Sequence, residues 1–207
     1  MSTLRTTHQL LLATAATLFL LGCGGSETKS TDTGSSDASL MEVKISGDGE
    51  VEKYDLNGDG KPDMTSTFTR VGPKDLPREE RKRILARREI DVNFDTKTDV
   101  KQFYGEDGVL VREELDLDFD SNRDAIDYYA NGVRVRREIF LNFAADAPAS
   151  MWKYYEDGKI TQKARDTTGD GKPDVFEFFD TEGNVVRVGY DTKGDGKPNY
   201  YKEAGAE

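Results

Sequence analysis

The chain has almost none of the side chains on which most enzyme chemistry is built. Among 207 residues there is one cysteine, one histidine and one tryptophan. The histidine is His8 and the cysteine Cys23, so everything from Gly24 onward lacks both types. That excludes thiolate nucleophiles, imidazole bases, disulfides and the usual zinc-binding sets from the body of the protein. Positive charge is also scarce: 29 Lys and Arg stand against 40 Asp and Glu, a net charge of −11. Such a surface repels phosphate backbones, which argues against a nucleic-acid partner, and it attracts cations. Long apolar runs are missing too. The most apolar stretch, Leu10 to Leu21, is shorter than the roughly 20 residues a bilayer-spanning helix needs.

One charged side chain, Arg5, precedes that stretch, and Leu20-Leu21-Gly22-Cys23 ends it. A basic residue, an apolar run and a small residue in this order read as a signal peptide over residues 1–22. The four-residue ending resembles the lipobox of bacterial lipoproteins. The resemblance implies cleavage before Cys23 and attachment of diacylglycerol and a palmitate-like acyl chain to it, enough for stable membrane anchoring. Losing Arg5 with the signal peptide takes the net charge from −11 to −12. Gly24 and Gly25 follow the cysteine, without the aspartate that retains lipoproteins at an inner membrane. The resemblance therefore implies an outer-membrane destination, facing either the periplasm or the outside. Residues 23–41 comprise the cysteine and a small, polar segment with no apolar period, which is expected to be a flexible tether. The folded domain is expected over 42–207.

Within that domain an acidic string recurs. It starts at Asp55, Asp91, Asp116, Phe140, Asp166 and Asp191, spaced by 36, 25, 24, 26 and 25 residues, the first interval lengthened by an insert over residues 71–83. A period near 25 marks a repeat protein. Between the strings lie two β-like stretches joined by a turn; Asn131-Gly132 is the signal of a tight hairpin, and Asp107-Gly108, Asp157-Gly158 and Gly183-Asn184 mark equivalent turns. The expected fold is all-β: tandem hairpins in an antiparallel meander of about ten to twelve strands. Alternation of Ile90, Val92 and Phe94, of Leu115, Leu117 and Phe119, and of Ile139, Leu141 and Phe143 extends the second strands into the strings.

The strings follow D-x-[DN]-x-D-G-x-x-D, which sets oxygen ligands at positions one, three, five and nine and a glycine at the bend. Calcium takes six to eight oxygen ligands and suits such loops. Asp55, Asn57, Asp59 and Asp63 fill the first set; Asp166, Thr168, Asp170 and Asp174 nearly fill the fifth, with Glu177 where a twelfth-position ligand would stand. Asp91, Asn93, Asp95 and Asp99, and Asp116, Asp118, Asp120 and Asp124, keep the oxygens but carry Thr96 and Ser121 in place of glycine. These two strings read equally as metal sites and as the wet face of a strand. Asp191 and Asp195 remain in the last string, where Lys193 and Asn199 replace two ligands; the fourth has lost its set to Phe140 and Ala144. The strings resemble the calcium loops of thrombospondin type 3 repeats and EF-hand-like or dockerin-like signatures. The resemblance implies weak, extracellular-type calcium binding. Pro62, Pro173 and Pro198 and the β-rich flanks depart from a paired helix-loop-helix sensor.

Two classes of function follow. One is a non-catalytic, membrane-anchored scaffold or adhesion protein of the cell envelope, calcium-stabilised or metal-free, with an envelope protein or polysaccharide as partner. The other is a hydrolase working with paired carboxylates alone, as glycosidases do. No pair of acids is marked out for that role, so the scaffold is the expectation. Recurrent aromatic pairs (Phe103-Tyr104, Tyr128-Tyr129, Tyr154-Tyr155, Phe178-Phe179, Tyr200-Tyr201) are expected to put one ring inward and the other outward, and the basic insert reads as a solvated loop, with docking of an acidic partner or lipid headgroups as the alternative.

Overall fold

A computed structural model describes residues 38–141 and 147–205. The expected signal peptide, Cys23 and most of the tether lie outside the described residues. Thirteen strands form one open antiparallel sheet in which spatial order is sequence order. They are β1 (Ser39–Ser46), β2 (Gly49–Asp55), β3 (Met64–Val71), β4 (Lys82–Ile90), β5 (Val100–Tyr104), β6 (Leu110–Leu115), β7 (Ala125–Ala130), β8 (Val133–Ile139), β9 (Met151–Glu156), β10 (Lys159–Arg165), β11 (Val175–Phe179), β12 (Val185–Tyr190) and β13 (Tyr200–Glu203). The all-β hairpin meander is thus as the repeat implies, with more strands than counted and a first strand that begins before residue 42.

Tight turns occupy one end of the sheet. Asn131 and Gly132 have φ of 50° and 77°, and Asp157 and Gly158 have 49° and 78°. Two successive positive values make the turn whose twist matches the flanking strands. The insert lies at this end too, as a loop with a single 3₁₀ turn over Arg78–Glu80. Its arginines fold back: Arg78 and Arg83 bind Glu50, and Arg81 binds Asp48. The insert clamps the β1–β2 turn, and those three guanidinium groups are engaged within the chain.

Directly opposed residues of antiparallel strands share a face, so the registers define rows across the sheet. One row runs Ser66, Arg88, Gln102, Glu113, Asp127, Arg137, Lys153, Lys163, Glu177. On the other face another runs Arg87, Phe103, Arg112, Tyr128, Arg136, Tyr154. Even-numbered strands supply its arginines and odd-numbered strands its rings. The Arg112 guanidinium lies 4.1 Å from the Phe103 ring and that of Arg136 lies 4.0 Å from Tyr128. Each contact contributes about 0.5–1 kcal/mol at such half-exposed positions. The same arginines pair along their own strands with Glu89, Glu114 and Glu138.

The aromatic pairs therefore differ from expectation. The first members Phe103, Tyr128 and Tyr154 are the rings of this row and are half-buried, whereas Tyr200 opposes Tyr190. The second members Tyr104, Tyr129 and Tyr155 are half-buried, and Tyr104 and Tyr129 donate to Gln102 and Glu113. Tyr200 and Tyr201 on the edge strand are exposed.

A β-bulge recurs beside these rings. The registers leave Ala86, Val111, Val135, Thr161 and Val186 as the extra residue of their strands, each five positions before the start of an acidic string. A bulge bends its strand and adds right-handed twist, so the repeat builds curvature into the meander once per hairpin. The densest apolar packing is central, where Ile126, Phe140 and Ala149 are buried against Tyr128 and Trp152. Phe140 stands where other strings begin with aspartate. The fourth string gave up an acid and gained a core side chain, over which the Arg123 guanidinium sits at 4.7 Å.

Candidate metal centre

The acidic strings all connect an even-numbered strand to the next odd one, so they line the end of the sheet opposite the tight turns. They are bonded into a row. The ninth-position carbonyl of Asp63 accepts from the Asp91 N–H at 2.7 Å, that of Asp99 from Asp116 at 2.8 Å, and that of Asp174 from Asp191 at 2.9 Å. Successive loops thus stand two strand spacings, about 10 Å, apart along one rim.

Five strings share one loop geometry in which each acid accepts from the chain's own amides. In the first, Asp55 accepts from Gly58 at 2.6 Å and from Gly60 at 2.8 Å; Asn57 accepts from Asp59 at 2.9 Å, Asp59 from Lys61 at 2.8 Å, and Asp63 from Leu56 and Asn57 at 2.7 and 3.2 Å. Asp91, Asn93, Asp95 and Asp99 repeat this set except that Asp91 Oδ1 accepts from Asp95 at 3.2 Å and not from Phe94 at the fourth position. So do Asp166, Asp170 and Asp174, and, in the last string, Asp191 and Asp195. In that string Asn199 accepts from Thr192 at 3.0 Å just as the ninth-position aspartates do. Position nine is a hydrogen-bond acceptor first, and an amide oxygen suffices there. Thr168 donates its hydroxyl to Asp166, and Glu177 sits in β11, held by Arg165 at 3.0 Å and Lys163 at 3.3 Å along the sheet.

The middle strings are loops, not strand extensions. Strands end at Ile90 and Leu115, and the alternation read through Val92, Phe94, Leu117 and Phe119 does not continue the sheet. Phe94, Thr96, Phe119 and Ser121 have φ of 64°, 77°, 65° and 75°, in the places where the first loop has Gly58 at 82° and Gly60 at 84°. Non-glycine residues adopt this region at a cost of about 1–2 kcal/mol each. Val92, Phe94, Leu117, Phe119 and Leu141 are all exposed. Strain and exposed apolar side chains thus coincide on the central part of the rim. The apolar residues at loop positions two and four were the available signal, and they mimic a strand.

One loop departs from the self-satisfied set. Asp116 is 8% exposed, and one carboxylate oxygen accepts from Ser121 at 2.8 Å. Its other oxygen, Oδ1, is buried and has no hydrogen-bond partner. Asp118 and Asp120 each bring a carboxylate oxygen that, with one from Asp116, makes three atoms within 4.8 Å of one another. Burial pushes the Asp116 carboxyl above its ordinary value, and the charges of Asp120 and Asp124 push the same way. Elsewhere the direction reverses. The Gly60 and Gly58 amides hold Asp55 below the ordinary value. At Asp166, burial raises the value, and the Gly169, Gly171 and Thr168 amides more than offset it. Asp191 behaves likewise under the Lys193, Gly196 and Gly194 amides. An unpartnered, buried carboxylate oxygen in a loop of three acids can be satisfied by a proton or by a cation, and for a cation the donor set is all oxygen, as calcium prefers.

No protein-family model matches the chain, and no curated protein matches it. Among solved structures it is similar to a GtfA/B complex, at 18% identity and a TM-score of 0.29, and to the pneumococcal O-GlcNAc transferase GtfA in complex with UDP and GlcNAc, at 17% and 0.22. Each alignment covers 73% of this chain and 21% of the other, so the chain spans about a fifth of the length of those proteins.

Proposed function

We propose that the chain is a non-catalytic scaffold of the bacterial cell envelope, anchored to the outer membrane through lipid on Cys23, whose acidic rim binds calcium first at the Asp116 loop. The observation that carries the calcium reading is the unpartnered, buried Oδ1 of Asp116 in a loop where Asp116, Asp118 and Asp120 gather carboxylate oxygens within 4.8 Å of one another. Three carboxylates and the backbone and water oxygens of an open loop fit a hard cation of flexible coordination. The anchor reading rests on the lipobox-like ending at Cys23. Its partner surface is the apolar stretch of the same rim, where Val92, Phe94, Leu117, Phe119 and Leu141 are exposed beside the candidate site. An envelope protein or polysaccharide bound there would feel the charge and stiffness of the loops, both of which calcium changes.

Titration calorimetry of the full chain with calcium tests the reading. One site with a dissociation constant of roughly 0.1–1 mM is expected, lost in Asp116→Asn and retained in Asp55→Asn. A flat titration at millimolar calcium, or binding that survives Asp116→Asn unchanged, would count against it.

A further inference from the structure

The two edges of the sheet differ. β13 is four residues long; β1 is eight, and among the described residues nothing pairs with its outer side. All but one residue of β1 are exposed, including Leu40, Met41, Val43 and Ile45. A long exposed apolar edge strand is a template for another strand, and proteins that avoid such pairing blunt the edge with charge or proline. Here the charges are arranged otherwise. Glu42 and Lys44 flank Val43 on the sheet face opposite to it, and that order is self-complementary in an antiparallel pairing.

Register decides the matter. A second copy related by a twofold axis normal to the sheet keeps its faces aligned with the first, so opposed residues must differ by an even number. Centring the axis on Val43 sets Glu42 against the second copy's Lys44 and Lys44 against its Glu42. Moving the axis one residue either way sets Glu42 on Glu42 or Lys44 on Lys44. One central register attracts at both charged positions, and its neighbours repel. Glu42 already pairs with Lys53 of β2 at 3.0 Å, so the second copy's Lys44 would carry an alternating Lys–Glu–Lys row across the seam. Lys44 is 68% exposed and free to turn from Glu42 of its own strand to that of the other. The bulge at Met41 bends the strand beyond this segment and limits the ladder to its centre.

We infer that β1 is a homodimerisation edge: two copies of this chain join antiparallel through β1, with Val43 on the twofold axis. The pairing is small beside standard interfaces and so belongs to the weak, reversible class.

Disulfide trapping in the full chain tests it. The background carries Cys23→Ser, so that a single introduced cysteine reports. Opposed residues at a strand seam have β-carbons about 4.5–5.5 Å apart, close enough for Val43→Cys to cross-link to itself with little movement. Lys202→Cys, on the far edge, is the reference for random collision. Rapid cross-linking at position 43 and slow cross-linking at 202 are expected. Glu42→Lys or Lys44→Glu alone, each placing like charges together twice, should weaken dimerisation about tenfold. The double reversal Glu42→Lys with Lys44→Glu should recover most of it, short of the Lys53–Glu42 contact that the reversal also breaks. Circular dichroism of each variant separates lost pairing from lost folding. Equal trapping at 43 and 202, no trapping at 43, or a double reversal no better than the single ones overturns the proposal.

Discussion

At the scale of single residues, aspartates of the same string position have opposite effects on the fold. Asp55, Asp166 and Asp191 have depressed pKa values because backbone amides stabilise their charge. Their contribution to stability is present above the unfolded carboxylate value, near pH 4, and is lost as pH falls through the depressed folded value. Asp116 has a raised value, so its ionised form opposes folding at neutral pH, and the opposition eases as pH falls toward the unfolded value. In chelator at pH 7, Asp55→Asn is therefore expected to lower the melting temperature, while Asp116→Asn leaves it unchanged or raises it. In 10 mM calcium the wild type should gain about 1.4–2.7 kcal/mol for a dissociation constant of 1–0.1 mM, and Asp116→Asn should gain almost nothing. Thermal melts of the three proteins in both buffers decide this; a calcium gain common to all three would place the metal elsewhere. The loop strain makes a second prediction. Thr96 is β-branched at a φ of 77°, a place glycine takes in three sister loops, and its side chain is exposed. Thr96→Gly should stabilise the chain by about 1 kcal/mol, read as a rise in the urea midpoint.

At the scale of elements, the charged row is held by one pair, a buried Asp127 and a half-buried Arg137. The Asp127 side chain is 2% exposed, takes two bonds from Arg137 at 2.6 and 2.5 Å, and has Arg134 at 3.3 Å as a weaker partner. Removing Arg137 leaves the buried carboxylate with only the weaker Arg134 contact, so Arg137→Ala should cost about 3 kcal/mol, whereas replacing both Asp127 and Arg137 with valine should cost far less. Urea unfolding of the single and double variants measures the difference, and equal losses would show that the pair acts only through packing. Nothing in IDYYA and VRVRREI singles this pair out, because which charges oppose one another depends on a register set by a bulge. Bulges at Val111 and Val135 are silent in a sequence where valine is the ordinary strand residue. Hairpins and loops were legible for the opposite reason: Asn131-Gly132 and the Gly58, Gly60 pair mark positive φ directly. The middle loops were ambiguous because Phe94 and Phe119 reach the same φ without the residue that announces it, and the alternation around them copies a strand. Asp116 could not be ranked above Asp55 from the string, since the difference is one amide hydrogen bond that forms at Gly58 and fails at Phe119.

At the scale of the whole molecule, every substantial strand contact is between sequence neighbours, so the sheet is a one-dimensional array. Stability in such an array is a sum of local terms and nearest-neighbour terms, and opening starts where a unit has one neighbour instead of two. The buried side chains are unevenly placed along it. Ala125, Ile126, Asp127, Phe140 and Ala149 cluster around β7 to β9, β13 is exposed throughout, and β1 at all but one position. Amide hydrogen exchange should therefore be slowest in β7 and β8 and grow faster outward in both directions, reaching its fastest at β13 and β1. The two ends then separate on a change of concentration. If β1 pairs with a second copy, amides of β1 gain protection as the protein is concentrated while those of β13 do not, because only one edge acquires a neighbour. Calcium at the Asp116 loop acts from the middle, slowing β6 and β7 at any concentration. Protection that is uniform over thirteen strands would mean that the array unfolds as one block. A rise at both edges together on concentration would mean that association is not edge-specific.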